Sequence, residues 1–164
     1  MKDPQPDRSL MIHGLLDEAL IIPDLRASDR EGALREMIRL LCVRDRRYSG
    51  KELYEKLLQR ERLGSTAIGD GYAIPHCKVK AMDDPMVLLA ISRKGVAFEA
   101  LDKKPVHVFF LVVTSAENPG VNLQILAAVA HLIRGSRSLL RKMPKARSGG
   151  ELIALVREEE EKTG

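Results

Sequence analysis

Two strongly apolar runs, residues 86–92 and 106–113, constrain the fold of this chain more than any other feature. Both are rich in Val, Leu, Ile and Phe, with almost no polar side chains between them. Runs of this kind are typical of strands at the centre of a sheet whose two faces are both covered. They therefore predict two central strands, and such a sheet needs helices on both of its sides.

Helix-start signals are spaced along the rest of the chain. A Ser-x-x-Glu capping box begins at Ser28, at Ser49 and at Ser148. This pattern satisfies the free N–H groups at a helix N-terminus. The boxes predict helices over about residues 29–45 and 50–62, and a last helix that follows Ser148.

The remaining elements complete an alternating pattern of helices and strands without internal repeats. A fourth helix is predicted at residues 121–134, and a short helix ended by Pro144 at residues 136–143. An early strand is predicted at residues 19–22, and two connecting turns at residues 94–98 and 101–105. We therefore predict a polar tail at residues 1–9 and one α/β domain over residues 10–164. Its sheet is mixed and mostly central, with helices on both faces.

Composition limits the compartment and the kinds of site. The chain has 164 residues, of which 45% are hydrophobic and 30% charged, as is usual for a globular domain. No apolar run approaches the roughly 20 residues of a membrane span, and the polar start has no signal-peptide core. Cys42 and Cys77 lie far apart, so neither a disulfide framework nor a zinc site is indicated. We expect a cytoplasmic protein without membrane insertion.

The net charge of +4 is concentrated in residues 134–147, which carry six Lys or Arg residues and no acidic residue. Such a segment could bind nucleic acid or an acidic partner. No aromatic side chains interleave to stack on bases, so a solvent-exposed helical face is the favoured interpretation.

A stretch rich in glycine and hydroxyl groups, residues 64–77, leads to a histidine. Pro75 has a fixed φ and favours an extended conformation in the residue before it, which gives His76 a set direction. Three glycines in the stretch allow tight or left-handed turns that bring backbone N–H groups together. We expect an imidazole beside such an anion-binding loop to carry phosphate.

Other residues compete with this interpretation. His13 is expected to be structural or at the surface, and His107 to be a buried histidine with its hydrogen bonds satisfied. Cys77 follows His76 directly, which invites a Cys–His hydrolase site. Adjacent residues of an extended segment point to opposite faces, however, and this argues against such a dyad.

A longer motif surrounds the histidine and consists of Arg60-Glu61, Gly64-Ser65-Thr66, Ile68-Gly69, Gly71 and Ala73-Ile74-Pro75-His76. It resembles the active-site signature of the enzyme IIA domains of the fructose/mannitol type, which belong to the bacterial phosphoenolpyruvate-dependent sugar phosphotransferase system. This class includes the standalone nitrogen-related regulatory proteins, to which the chain is most similar. The resemblance runs from about residue 10 to the C-terminus and implies the IIA mannitol/fructose-type fold.

The resemblance implies that His76 accepts a phosphoryl group from the small carrier protein HPr, with no cofactor and no metal. It gives Arg60 the role of a charge-assisted hydrogen-bond donor to that group. Taken alone, Arg60 could equally be a cation favoured by a helix C-terminus. Thr66, Ser65 and Gly71 are expected to support phosphate binding, although the two hydroxyl residues could also be simple turn residues.

Asn122 departs from the family pattern, because many members have a second histidine at this place. An asparagine could still donate a hydrogen bond to phosphate through its amide, but it cannot become cationic. His131 does not replace it, since nine residues along a helix place it about half a turn away. Acceptance of phosphate at His76 is therefore a firmer expectation than its onward transfer.

Three functions remain open at this point. A nitrogen-related regulatory protein would bind its target according to the phosphorylation state of His76, because phosphate adds about two negative charges. A sugar-uptake component would instead pass phosphate to a separate IIB domain. The lack of a fused IIB or IIC sequence favours the regulatory role. A nucleic-acid-binding protein that uses residues 134–147 is the least favoured, and the oligomeric state stays open.

Overall fold

A six-stranded mixed sheet lies between two helical layers in the computed structural model, which describes residues 10–163. The predicted tail at residues 1–9 lies outside the described residues. The strands are β1 Ile21–Ile22, β2 Ala67–Gly69, β3 Tyr72–Ala73, β4 His76–Val79, β5 Met86–Val96 and β6 Val106–Ser115. The helices are α1 Arg30–Arg44, α2 Gly50–Arg62, α3 Pro119–Gly135, α4 Leu139–Lys142 and α5 Gly149–Thr163.

The two apolar runs form the centre of the sheet, as predicted. β5 and β6 pair in an antiparallel ladder, with Leu89 opposite Phe110. β1 lies parallel to β5 on one side. On the other side, β3 and β4 lie one after the other along β6, both parallel to it, and β2 pairs antiparallel with β3. The sheet is therefore mixed.

Alternate residues of the central strands feed two separate cores, which confirms that helices cover both faces. One face packs against α1 and α2, and its core includes Leu34, Met37, Leu53, Leu57, Leu88, Phe109, Leu111 and Val113. The opposite face packs against α3 and α5, and its core includes Val87, Leu89, Phe110, Val112, Ile125, Val129, Leu152 and Val156. Full burial of each such side chain contributes about 1.5–3 kcal/mol, so both layers are firmly attached to the sheet.

At two of the three predicted boxes the serine caps the helix as predicted. The Ser49 hydroxyl accepts a hydrogen bond from the N–H of Glu52 at 3.3 Å, and Ser148 accepts one from Glu151 at 3.2 Å. The first box is wrong by one residue, because the Asp29 carboxylate caps α1 by accepting from the N–H of Gly32 at 2.7 Å. An aspartate caps at least as well as a serine.

The early strand is shorter than predicted. Of the predicted residues 19–22, only Ile21–Ile22 pair with β5, and Glu18–Leu20 form a 3-10 helix instead. The Asp17 side chain caps this turn by accepting from the N–H of Ala19 at 2.9 Å. A local side-chain bond thus competes with strand pairing at these residues.

The predicted turn at residues 94–98 is also wrong, because β5 continues to Val96, which lies opposite Val106. The ladder shifts register between Ile91 and Val96, and Gly95 has a φ of +90° in this interval. Glycine adopts positive φ without strain and so permits an irregular strand to resume.

The short helix predicted over residues 136–143 is shorter in the structure, and Pro144 does not end the helical segment. α4 spans Leu139–Lys142, and a 3-10 helix over Met143–Lys145 continues from it with Pro144 inside. Proline has no backbone N–H, but the first N–H groups of a helical turn have no partner within that turn. Pro144 therefore fits at this position. Among residues 10–163, no helix is both long and apolar enough to cross a membrane.

Candidate functional site

Residues 64–77 fold into three short strand segments rather than an open anion-binding loop. β2 and β3 form a hairpin, and its turn residues 69–71 have φ values of 93°, 55° and 88°. The Gly71 carbonyl accepts hydrogen bonds from the N–H groups of His107 and Val108, at 2.8 and 3.1 Å. The glycine turn is therefore fixed beside the start of β6.

This position separates the glycine turn from His76, which lies opposite Val112 in the β4–β6 ladder. Five residues of β6 separate His107 from Val112, a distance of about 16 Å along a strand. Support of phosphate by Gly71 therefore stays a prediction. What the structure shows is that Gly71 allows close packing, since a Cβ there would lie 3.2 Å from both methyl carbons of Leu140.

His76 begins β4 and is half-buried at the edge of the sheet. The Pro75 carbonyl just before it accepts from the N–H of Val112 at 2.9 Å, which fixes where the strand starts. Ladder partners share a face, so the His76 side chain lies on the α3 side with Val112. Cys77 is buried in the opposite core, which confirms that the two residues form no dyad, and burial raises the pKa of its thiol to about 12.

The imidazole of His76 is held in one tautomer. Its Nδ1 lies 2.8 Å from the Ile74 carbonyl oxygen. Because that oxygen can only accept, Nδ1 carries the hydrogen and Nε2 keeps a lone pair. Burial lowers the pKa of His76, as do the charges of Arg60 and Lys78, while the Ile74 carbonyl opposes this shift. A neutral ring with a nucleophilic Nε2 is the form that these surroundings favour.

Arg60 lies in the last turn of α2 and is half-buried. Its Nη1 donates to the Gly64 carbonyl at 2.7 Å, which fixes the guanidinium at the helix end. Its charge is close enough to His76 to lower the pKa of the imidazole. Within the described part of the chain it makes no other hydrogen bond, so most of its five N–H groups remain available to an anion.

Glu61 belongs to the motif around His76, but the sequence alone assigned it no role. Only 3% of it is exposed, and its carboxylate accepts from the Thr66 N–H at 2.8 Å and from the Thr66 hydroxyl. The Thr66 carbonyl accepts in turn from the N–H of Ile74 at 3.1 Å, and Ile74 holds His76. A continuous chain of hydrogen bonds thus joins a buried carboxylate to the imidazole.

The burial of Glu61 was predictable from the sequence. Leu53, Leu57 and Glu61 are spaced at i, i+4 and i+8 and form the buried stripe of α2. Burial raises the pKa of the Glu61 carboxyl, and the bonds from Thr66 and the charge of Arg60 oppose this shift. A carboxylate on an apolar stripe needs partners, and this was the signal for a buried polar contact.

The two hydroxyl side chains of the motif face other partners than phosphate. The single hydroxyl hydrogen of Thr66 is donated to Glu61. Ser65 accepts from the N–H of Ala67 at 3.1 Å and donates to the Phe98 carbonyl at 3.5 Å. In this arrangement both residues brace the loop, and neither directs its hydroxyl hydrogen to His76.

Asn122 lies in the first turn of α3 and is 4% exposed. Its Oδ1 accepts from the Thr114 hydroxyl at 3.1 Å. Thr114 lies two residues beyond Val112 on β6, which places Asn122 on the same face of the sheet as His76. Among residues 10–163 its amide nitrogen has no hydrogen-bond partner, so it remains a potential donor on this face.

Two other histidines have structural roles, as expected. His107 Nδ1 lies 2.8 Å from the Ser92 carbonyl, and His13 Nδ1 lies 2.8 Å from a Glu160 carboxylate oxygen. His131 is exposed on α3. In the described part of the chain, no group of three His, Cys, Asp or Glu residues is placed to hold a metal ion.

Comparison with known proteins gives the class to which this fold belongs. Residues 14–159 match the family described as "Phosphoenolpyruvate-dependent sugar phosphotransferase system, EIIA 2". The chain belongs to this family, as the motif around His76 predicted.

Individual relatives include both regulatory and sugar-specific proteins. A nitrogen regulatory protein from Bradyrhizobium diazoefficiens is 30% identical over 148 residues, which cover 88% of this chain and 94% of that protein. A fructose-specific EIIABC component from Bacillus subtilis is 26% identical over 147 residues, which cover 90% of this chain and 23% of that protein.

A solved structure supports the same assignment. The crystal structure of the nitrogen regulatory protein IIA-Ntr from Neisseria meningitidis matches with a TM-score of 0.80 and 27% identity. The match covers 88% of this chain and 98% of that one. The predicted α/β fold of the IIA type is thereby confirmed.

Proposed function

We propose that this chain is a phosphohistidine carrier that accepts a phosphoryl group from an HPr-type phosphocarrier on Nε2 of His76. The observation that carries the proposal is the 2.8 Å contact between His76 Nδ1 and the Ile74 carbonyl. It leaves Nε2 with a free lone pair, and the lowered pKa of His76 keeps the ring neutral near pH 7.

The transfer exchanges one nitrogen–phosphorus bond for another. The Nε2 lone pair of His76 forms a bond to phosphorus as the bond to the donor's histidine breaks, and that electron pair returns to the donor's ring. No proton has to leave Nε2 first. The ring of His76 gains positive charge during this step, and the Ile74 carbonyl stabilises it through the hydrogen on Nδ1.

Arg60 stabilises the charge on the transferred group. Phosphoryl transfer depends mainly on in-line positioning and on stabilisation of the equatorial oxygens. The N–H groups of Arg60 that Gly64 does not use are suited to these oxygens. A hydrogen bond to a charged group contributes about 1.5–3 kcal/mol, which corresponds to a rate factor of about 10 to 150.

We assign the protein to the nitrogen-related regulatory type rather than to sugar uptake. The relative from Bradyrhizobium diazoefficiens, at 30% identity, and the solved structure with a TM-score of 0.80 are both nitrogen regulatory proteins. Asn122 also favours this role, because a neutral amide cannot supply a cation when phosphate is passed onward. The alternative role is donation of phosphate from His76 to a separate sugar-specific IIB component.

The test is to incubate the full chain with phosphoenolpyruvate, enzyme I and HPr and to measure acid-labile, alkali-stable phosphate. We expect labelling of the wild type and of the control His131→Ala, and none of His76→Ala. Phosphorus NMR should place the phosphate on Nε2. Labelling that survives His76→Ala, or phosphate on Nδ1, contradicts the proposal.

A second step separates the two roles. The labelled protein is mixed with an isolated IIB domain of the fructose type and its sugar-specific membrane component. Rapid loss of label to that domain would establish the sugar-uptake role instead of the regulatory one.

A further inference from the structure

A groove of about 660 Å³ lies between α1 and α2, apart from the phosphotransfer site. Lys51 lines the groove at the start of α2, and Arg60 lies nine residues further along the same helix. This corresponds to about 14 Å along the helix axis. The groove is therefore a separate feature, and the role of His76 does not account for it.

The rim of this groove is strongly basic. Among the residues that the structure describes, its charged lining residues are Arg35, Arg39, Arg46 and Lys51, all of them exposed, and no acidic side chain lines it. Among residues 10–163, none of these four cations forms an ion pair. The nearby carboxylate of Asp45 is bound by Arg47 at 2.7 Å. Like charges that converge on one cleft create a positive potential that attracts anions.

The floor of the groove is apolar and aromatic. It includes Ile38, Cys42, Tyr48 and Tyr54. The Arg35 guanidinium lies over the ring of Tyr54, with its carbon 4.7 Å from the ring centre. Planar bases stack on tyrosine rings and on guanidinium groups, and arginine binds phosphate with paired hydrogen bonds.

We propose that the α1–α2 groove binds a nucleotide with two or more phosphates. Its base stacks at the Arg35–Tyr54 pair, and its phosphates are bound by Arg39, Arg46 and Lys51. The volume lies within the range of about 300–1,000 Å³ that is typical of small-molecule sites. An acidic peptide would also satisfy the charges, but it would make no use of the stacked pair, so the nucleotide is favoured.

The test is calorimetric titration of the full wild-type chain with ATP, AMP and inorganic tripolyphosphate. We expect saturable binding of one ATP, at least tenfold tighter than AMP and weaker as salt is raised. ATP should also bind at least threefold tighter than tripolyphosphate. Tyr54→Leu should remove this last difference and leave tripolyphosphate binding unchanged.

Charge reversal identifies the site. Arg39→Glu and Lys51→Glu should each weaken ATP binding at least tenfold. The matched control is Arg137→Glu, an exposed residue outside the groove with the same change in charge, and it should stay within twofold of wild type. His76→Ala should bind ATP like the wild type, so failure of the proposed phosphotransfer leaves this test intact.

Several results would overturn the proposal. These are equal binding of ATP and tripolyphosphate, equal losses in the groove variants and in Arg137→Glu, or no binding of ATP by the wild type. Binding of a glutamate-rich peptide that Lys51→Glu abolishes, without binding of ATP, would assign the groove to a protein partner. Circular dichroism shows whether each groove variant folds. If one does not, the amide NMR spectrum of the wild type is recorded as ATP is added. Shifts confined to α1 and the start of α2 support the site, and shifts elsewhere refute it.

Discussion

Replacement of Glu61 by alanine tests whether the hydrogen-bonded chain from Glu61 to His76 positions the imidazole. The substitution removes the acceptor of two Thr66 donors, the backbone N–H and the hydroxyl. Thr66 is itself 5% exposed, so water reaches these donors poorly. We expect Glu61→Ala to lower both the stability of the fold and the rate of phosphorylation.

The size of the stability change follows from these contacts. Each buried donor that loses its partner costs about 1–3 kcal/mol, which gives about 2–6 kcal/mol for the two. Removal of a buried carboxylate also relieves its desolvation, which offsets part of this loss. We expect the free energy of unfolding to fall by about 2–4 kcal/mol. This loss is a large part of the 5–15 kcal/mol by which a typical domain is stable against unfolding, but the variant should still fold.

The matched control is Glu61→Gln, which has the same shape without the charge. Its amide oxygen can accept from the Thr66 N–H, and its NH₂ group can donate to the Thr66 hydroxyl oxygen. We therefore expect a loss of under about 1 kcal/mol by urea unfolding and nearly normal labelling of His76 by HPr. Glu61→Ala should slow labelling at least tenfold, since misplacement by about 1 Å can cost a factor of about 100.

The pH dependence of the two proteins provides an independent check. Burial raises the pKa of Glu61 above its ordinary value of 4.5, so the folded state binds this proton more tightly than the unfolded state. The stability that protonated Glu61 contributes to the folded state is present below pH 4.5 and is lost as pH rises through the raised pKa. Glutamine does not titrate. The unfolding free energy of Glu61→Gln relative to wild type should therefore improve between pH 4.5 and 7.

Two results would refute the role of Glu61. One is wild-type stability and wild-type labelling in Glu61→Ala. The other is an equal loss of labelling in Glu61→Gln and Glu61→Ala, because that would make the charge, rather than the hydrogen-bonded geometry, the property that matters.

Three further substitutions test single contacts. Arg60→Gln removes a charge that lowers the pKa of His76, so NMR titration should show a higher pKa for His76 than in the wild type. Labelling should slow about 10- to 150-fold. A lower pKa of His76 would contradict the contact. Gly71→Ala places a methyl group at positive φ and 3.2 Å from Leu140, so urea unfolding should show a loss of about 1–3 kcal/mol, whereas unaltered stability would contradict this packing. Labelling of folded Gly71→Ala should stay within twofold of wild type. Asn122→His should speed phosphate turnover with a IIB domain, and an unchanged rate would mean that the asparagine is sufficient.

The layers of this fold could be predicted because their signals are local. The apolar runs over residues 86–92 and 106–113 are long enough to identify central strands without knowledge of their partners. Capping serines identified the starts of α2 and α5 for the same reason. In each case the physical cause lies within a few residues of its effect.

The strands of the motif could not be predicted in this way. β2, β3 and β4 contain three, two and four residues, too few for a periodic pattern to be recognised. β3 and β4 exist because β6 supplies their hydrogen-bond partners, and β2 exists because it pairs with β3. From the sequence, the glycines of residues 64–77 therefore predict an anion-binding loop. In the structure, Gly69 and Gly71 form the turn between β2 and β3, and β3 pairs with β6.

Exposure separates the residues of the motif that can reach phosphate from those that support them. A histidine that accepts phosphate from another protein has to be accessible, and so do the groups that bind the phosphate oxygens. His76 and Arg60 keep part of their surface, whereas Glu61 and Thr66 are 3% and 5% exposed and bind each other. Substitution of the half-buried pair should therefore change transfer more than stability, and substitution of the buried pair should change both. Residues that are neighbours in one sequence motif thus differ in role because they differ in depth.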